Sequence, residues 1–325
     1  MLSKWQPQIQ EWTERFLTPI DDPGSRLFHM NIAATLILIA FWLWKAKKNP
    51  KLFNFLKTFK RLLFRKSYWW NSSTRFDYGI YLFNSVLKIF LFIPLLDFGY
   101  FFSQKTARAL VQWNGDFVGL KATGLALFVF TVAAFVFDDF LRFFNHWLMH
   151  KVPFLWKLHR THHSARILTP ITLYRAHPLE SAIATVRNSL SLGVSTGVFI
   201  FLFEARFNVF TFLGVNIFGF VFNLLGSNLR HSHIPLGFGF LEFIFISPKQ
   251  HQIHHSRNPE HYDKNFGVSL SIWDYLFGSL VHSKTVRQRL FFGLDEVKKA
   301  DSAEGTSPAL HSQLPRLFSF LFYRR

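Results

Sequence analysis

Cysteine is absent, so the chain can form no disulfide and no thiolate metal site, and any bound metal must be held by nitrogen or oxygen. Acidic residues are scarce: 19 Asp and Glu stand against 37 Lys and Arg, a formal net charge of +18 over 325 residues. That shortage counts against a soluble carboxylate-bridged di-iron bundle, whose helices supply Glu and Glu-x-x-His. There is no internal repeat, no low-complexity tract and no long Gly or Pro linker. What the chain has in excess is apolar and aromatic surface. Half of it is hydrophobic and 43 residues are Phe, more than a soluble core needs.

Apolar runs lie at about residues 30–44, 79–102, 118–137, 188–203 and 207–226. Each approaches the roughly 17 to 25 residues that a helix needs to cross ~30 Å of hydrocarbon, although the first and fourth are short. The first run lacks a basic leader and a small-residue cleavage site, so it reads as a retained anchor. Between the first two runs, from Lys45 to Arg75, the chain is rich in Lys and Arg and has no acid, which fixes that loop in the cytoplasm. The near-neutral N-terminal tail then lies outside. The third run returns the chain to the cytoplasm near Asp138, and the last two form a hairpin that turns at Glu204 to Arg206. Residues 138–187 and everything from 227 onward are therefore expected to face the cytoplasm.

The basic loop interleaves cations with aromatics from Lys51 to Trp70, a pattern shared with nucleic-acid surfaces. The spacing of Leu52, Phe55, Leu56, Phe59, Leu62 and Leu63 instead predicts an amphipathic helix with a cationic back. That suits an anionic lipid surface or a solvated positive loop, so no nucleic-acid partner is expected.

Twelve of the fifteen histidines fall between 146 and 261. They form an HxxxH pair (His146, His150), a first HxxHH (His159, His162, His163), an RHSH segment (His231, His233) and a second HxxHH (His251, His254, His255). On a helix, positions i, i+3 and i+4 share one face, so the HxxxH pair and the two HxxHH motifs are each expected to present a row of imidazoles to one point, whereas His233, two residues from His231, cannot share its face. Ser247-Pro248 predicts a helix start, with Ser as N-cap and Pro at N1, that carries the second HxxHH. Two HxxHH motifs in one chain are expected by chance in well under roughly one in a thousand such sequences, which makes the pair a strong metal signal.

Eight to ten imidazoles exceed the four to six that one ion accepts, so two ions are expected. Ligand type alone does not select iron. That choice follows from the unactivated C–H bonds of a membrane lipid, whose cleavage needs a redox metal and O₂. His29, His282 and His311 read as ordinary packing residues, and His261 as a hydrogen-bonding neighbour. His177, His233 and Asp139 are held open as ligands or as outer partners, with an Arg142 ion pair as the other reading of Asp139. Glu180, Asp263 and Asp274 are nominated as acceptors for the outer ring nitrogens.

The order HxxxH, HxxHH, a His segment after a hairpin, then a final HxxHH resembles the fatty acid hydroxylase and sterol desaturase superfamily of membrane di-iron enzymes. RAHPLE after the second cluster, PKQHQIHHSRNPEHYDKNFG around the last and the closing SIWDYLFGS add to the resemblance. It implies an all-α, polytopic membrane bundle with a cytoplasmic cap of short helices over the His-rich di-metal site. Residues 1–137 would form the membrane-anchoring region with its basic loop. Residues 138–285 would form the catalytic region, with the hairpin at 188–226, and 286–325 a tail.

Carried over residue by residue, the implied iron ligands are His146, His150, His159, His162, His163, His231, His251, His254 and His255. The family also implies hydroxylation or desaturation of a fatty acyl chain or sterol with O₂. The two electrons would come from a separate donor such as cytochrome b5 or a ferredoxin system, since no fused haem domain is visible. The membrane would be the endoplasmic reticulum in a eukaryote or the inner membrane in a bacterium.

Two other classes are the alternatives. A His-rich metal transporter or sensor would place ligands in mid-span or in an irregular loop. A zinc-dependent lipid hydrolase would keep an open coordination position and a general base.

Overall fold

The computed structural model describes residues 28–46, 52–204, 211–212 and 215–294. Among them the regular secondary structure is helical apart from one ladder of two two-residue strands and two isolated bridges. The principal helices are α1 (His29–Ala46), α2 (Leu52–Leu63), α3 (Lys66–Trp69), α4 (Ser72–Asn114), α5 (Gly124–Lys151), α6 (Pro153–His163), α7 (Pro178–Phe203), α8 (Ile217–Leu224), α9 (Pro248–His254) and α10 (Ile272–Leu276). The strands β1 (Thr211–Phe212) and β2 (Val215–Asn216) pair antiparallel just before α8.

Among the described residues two helices, α5 and α7, are long and apolar enough to cross a membrane. Their 28 and 26 residues rise about 42 and 39 Å. The expected runs shift at their ends. The third begins at Gly124 rather than at 118, because Gly119 takes a positive φ and the Val118 and Leu120 amides donate to the Phe201 and Leu202 carbonyls at 3.0 and 2.7 Å. The fourth starts ten residues early, where Pro178 occupies the first helical turn and needs no amide donor. The second lies inside the 43-residue α4. Of the fifth, α8 alone is helical among the described residues; eight residues rise about 12 Å, short of a bilayer. The expected hairpin turn falls mostly on 205–210, outside the described residues, as do the N-terminal tail, Lys47 to Lys51 and everything from 295 onward, including His311. The amphipathic segment forms as predicted, as α2.

The chain divides into two compact units. One comprises residues 1–36, 88–145 and 182–228. Within it α7 packs against α4 through small residues: a Cβ on Gly193 would lie 2.6 Å from the Gly99 carbonyl, and one on Gly197 the same distance from that of Ser103. Small residues let helix backbones approach closely in this way. Phe130 packs edge-on against Phe199 at 5.0 Å beside Phe203.

The other unit comprises residues 37–87, 146–181 and 229–325. Ile39, Leu43, Leu229 and Ile234 form an apolar cluster in it. Arg175 is fully buried and pairs with Asp77 at 2.8 Å, while Thr172 donates to the same carboxylate at 2.8 Å. This unit carries the whole of the candidate site.

Candidate metal centre

Nine imidazoles converge in the second unit as two groups. His146, His150, His159, His163 and His254 form one, and His162, His231, His251 and His255 the other; in each, the ligand atoms lie within 4.8 Å of one another. The structure thus gathers all nine histidines singled out as ligands. It divides each HxxHH motif, however, where the sequence pattern suggested a single focus. Residues i and i+4 differ by about 40° around a helix, whereas i+3 diverges from i by about 60° the other way. His159 and His163 therefore join the five-membered group and His162 the four-membered one; for the second motif His251 and His255 join the four and His254 the five. The neighbours His162 and His163 stand at 88°, and His254 and His255 at 87°. Across the divide, His163 stacks on His255 with centroids 4.5 Å apart.

Local structure sets these directions. His146 and His150 ride the last two turns of α5. After the extended Val152, Pro153 restarts the chain as α6, which carries the first HxxHH. Ser247 caps α9 with a capping box to Gln250, as the sequence predicted, and Pro248 occupies the first turn. His231 follows a short 3-10 turn at Ser227–Leu229.

In the five-membered group the outer nitrogens of four imidazoles face acceptors. His146 Nδ1 donates to the Phe266 carbonyl at 2.8 Å, His254 Nδ1 to the Lys264 carbonyl at 2.7 Å and His159 Nδ1 to Glu180 at 2.7 Å. His150 Nδ1 lies 3.5 Å from the Asp263 carboxylate. Carbonyls and carboxylates only accept, so the protons sit on Nδ1 and the Nε2 lone pairs point inward. The Nε2 atoms of all five are buried without a hydrogen-bond partner. Four lone pairs converging with the buried His163 Nε2 and without a donor would be costly, and a cation accounts for all of them.

In the four-membered group the nitrogens crowd each other. His231 Nε2 lies 3.2, 3.1 and 3.1 Å from Nε2 of His162, His255 and His251, and His255 lies 3.2 Å from His251. An ion about 2.1 Å from each nitrogen would set neighbouring donors roughly 3.0 to 3.4 Å apart, so the spacing fits one ion. His162 Nδ1 donates to the Arg175 carbonyl at 3.3 Å. Burial pulls His162 down to about 4 and His254 down to about 3, and holds His163, His251 and His255 well below the usual imidazole range. All five are neutral at physiological pH, the state in which imidazole ligates metal.

The remaining candidates lie outside both groups. His177 is buried, and its Nδ1 accepts the Leu179 amide at 3.2 Å, which makes it the cap of α7. His233 is exposed and meets Tyr68 edge-on at 4.5 Å. Asp139 is buried in the first unit, and its neighbour Asp138 takes the Arg142 partnership foreseen for it, at 2.6 Å, together with Arg187 at 3.4 Å. His282 pairs with Glu242 at 3.1 Å, His29 is exposed and His261 is buried. Of the nominated acceptors, Glu180 and Asp263 face imidazoles, whereas Asp274 binds the Phe266 and Gly267 amides. The carbonyls of Arg175, Lys264 and Phe266 were not foreseen, since every residue has one.

A cavity of about 350 Å³ reaches His150, His163 and His254 of one group and His255 of the other. Trp156, Arg257, Tyr262 and Asp263 line it as well.

Residues 131–279, which hold all nine imidazoles, match the fatty acid hydroxylase family, and over this stretch the superfamily resemblance read from the motifs holds. The chain is similar to alkylglycerol monooxygenase of Homo sapiens, at 28% identity over 163 residues that cover 50% of this chain and 32% of that protein. It is also similar to alkylglycerol monooxygenase of Danio rerio (31% over 147 residues; 45% and 29%) and to an ornithine lipid hydroxylase of Rhizobium tropici (29% over 148 residues; 46% and 40%). The matched stretch spans about a third of the length of the alkylglycerol monooxygenases. No solved structure matches the chain.

Proposed function

We propose that this protein is a membrane lipid hydroxylase that uses O₂ at a pair of iron ions, one held by His146, His150, His159, His163 and His254 and the other by His162, His231, His251 and His255. The observation that carries the reading is the division of nine imidazoles into two groups of converging nitrogens, within a stretch that matches the fatty acid hydroxylase family. Iron bound there supplies the redox chemistry that a C–H bond requires. The net change is R–H + O₂ + 2e⁻ + 2H⁺ → R–OH + H₂O, with a separate protein as the electron donor.

The chain's own task is positional. The cavity is of the size that takes part of a lipid, and a carbon placed in it stands beside imidazoles of both groups. Trp156, with its ring 5.0 Å from His150 and 5.5 Å from His163, limits how that carbon can lie. The outer acceptors of His146, His159, His162 and His254 keep their Nδ1–H groups in place, so these four imidazoles need not reorient during turnover. Hydroxylation is favoured over desaturation because the relatives named above are a monooxygenase and a hydroxylase.

The apolar α5 and α7 fit insertion in a bilayer. With the basic Lys45 to Arg75 segment held inside by its charge, the imidazoles fall on the cytoplasmic side, in the endoplasmic reticulum or a bacterial inner membrane. There the net positive charge would attract an acidic electron carrier.

The test is to supply purified, iron-loaded protein with a reductant, membrane lipid extract and isotopically labelled dioxygen, and to follow lipid masses. One labelled oxygen atom per product is expected. Oxidation without label, or no O₂-dependent product across lipid classes, would refute the proposal.

A further inference from the structure

The outer partners of the five-imidazole group come largely from one short segment. Asp263 Oδ1 stands 3.5 Å from His150 Nδ1, the Lys264 carbonyl accepts from His254 at 2.7 Å, and the Phe266 carbonyl accepts from His146 at 2.8 Å. Three of the five imidazoles are thus oriented from four consecutive residues. The four-imidazole group takes its outer partner from elsewhere, the Arg175 carbonyl facing His162.

The segment is held in a conformation it would not adopt alone. Asp263 and Asn265 both have positive φ, at 58° and 55°, a left-handed conformation that Asp and Asn reach more readily than other non-glycine residues but that their surroundings must still hold. Those surroundings are present. Asn265 donates its side-chain amide to the Gln250 carbonyl at 3.2 Å and accepts the Val281 amide at 2.7 Å. Asp274, fully buried on α10, accepts the Phe266 and Gly267 amides at 2.7 Å and the Ser279 hydroxyl at 2.6 Å. A Cβ on Gly267 would lie 2.8 Å from Asp274 Oδ2 and 2.7 Å from the Leu270 carbonyl, so the carboxylate's approach needs glycine there.

We propose that the loop Asp263–Phe266 positions the five-imidazole group independently of the four, and that Asp274 is the positioning residue that locks it. The two metal sites are then tuned separately, one through this loop and the other through the Arg175 segment. The proposal rests on reading both groups as metal sites.

The test uses the full chain in detergent, loaded with iron(II) under anaerobic conditions and titrated with a chelator while retained metal is counted. Asp274→Asn is expected to weaken one of the two ions by about 10- to 100-fold and leave the other at wild-type affinity. Combined with His231→Ala, which empties the four-imidazole site, Asp274→Asn should weaken the single remaining ion by the same factor. Asp263→Ala removes a side chain that is 44% exposed, and with it a Lys151 ion pair at 2.6 Å, but leaves the buried lock in place, and it should weaken the same ion. A merely structural role would lower both ions together. Loss of both ions in step in Asp274→Asn and Asp263→Ala, or wild-type retention of both in these variants, would overturn the proposal. A wild-type chain that holds no metal would instead overturn the metal-site reading beneath it.

Discussion

His159 Nδ1 lies 2.7 Å from the Glu180 carboxylate, and its Nε2 is buried with no hydrogen-bond partner. The carboxylate fixes the tautomer and turns the free lone pair toward the other four imidazoles of its group. Glu180→Gln replaces the anionic acceptor with an amide that can present a donor instead. Metal affinity at the five-imidazole site is expected to fall about 10- to 100-fold, measured by chelator competition, and unchanged affinity would remove Glu180 from this role.

His231 Nε2 approaches three other imidazole nitrogens of its group within 3.2 Å. His231→Ala should therefore leave about one metal ion per chain and abolish lipid oxidation, since a C–H oxidation that needs both ions fails with either one missing. Elemental analysis and a product assay read the two effects together. Full activity with one ion would show that the four-imidazole group is not part of the reaction centre.

Acidity should act on the metal-free protein with a definite sign. His162 and His254 have folded values of about 4 and about 3, below the 6.5 of an unfolded imidazole. Between those limits the unfolded chain binds more protons, so stability is full above pH ~6.5 and falls as the pH drops toward 4. The thermal midpoint of metal-free protein in detergent is expected to decline over that window. A midpoint that is flat or rises on acidification would contradict the neutral, buried imidazoles.

The close approach of α7 to α4 yields a stability prediction independent of metal. In Gly193→Ala the new methyl would meet the Gly99 carbonyl and Phe102 Cβ at 2.6 Å. The helices must separate, at a cost of about 1 to 3 kcal/mol in thermal or denaturant unfolding. No measurable loss would mean that the contact is looser than described.

Much of the site is legible in the sequence because i, i+4 pairs leave a visible spacing. The Ser247-Pro248 helix start and the nine imidazoles follow from local pattern, whereas Glu180 could be nominated as a partner only by its nearness in sequence. The division of each HxxHH between two groups does not, because the i+3 residue lies close enough to i and i+4 to read as the same face until neighbouring helices define separate targets. The carbonyls of Lys264 and Phe266 carry no residue-type signature, and their direction depends on a loop locked from ten residues away. His177 was held open as a ligand; the Pro178 that follows it was the available sign of a helix cap. The fifth apolar run shows the limit of composition: its residues are hydrophobic enough for a span, yet among its described residues α8 covers only eight.

The most direct test of the two-metal account is the metal content of the full chain, purified in detergent and analysed for all transition elements. About two irons per chain are expected, falling to about one in His231→Ala. A single tightly held ion, zinc in place of iron after growth with both available, or no metal at all would contradict it.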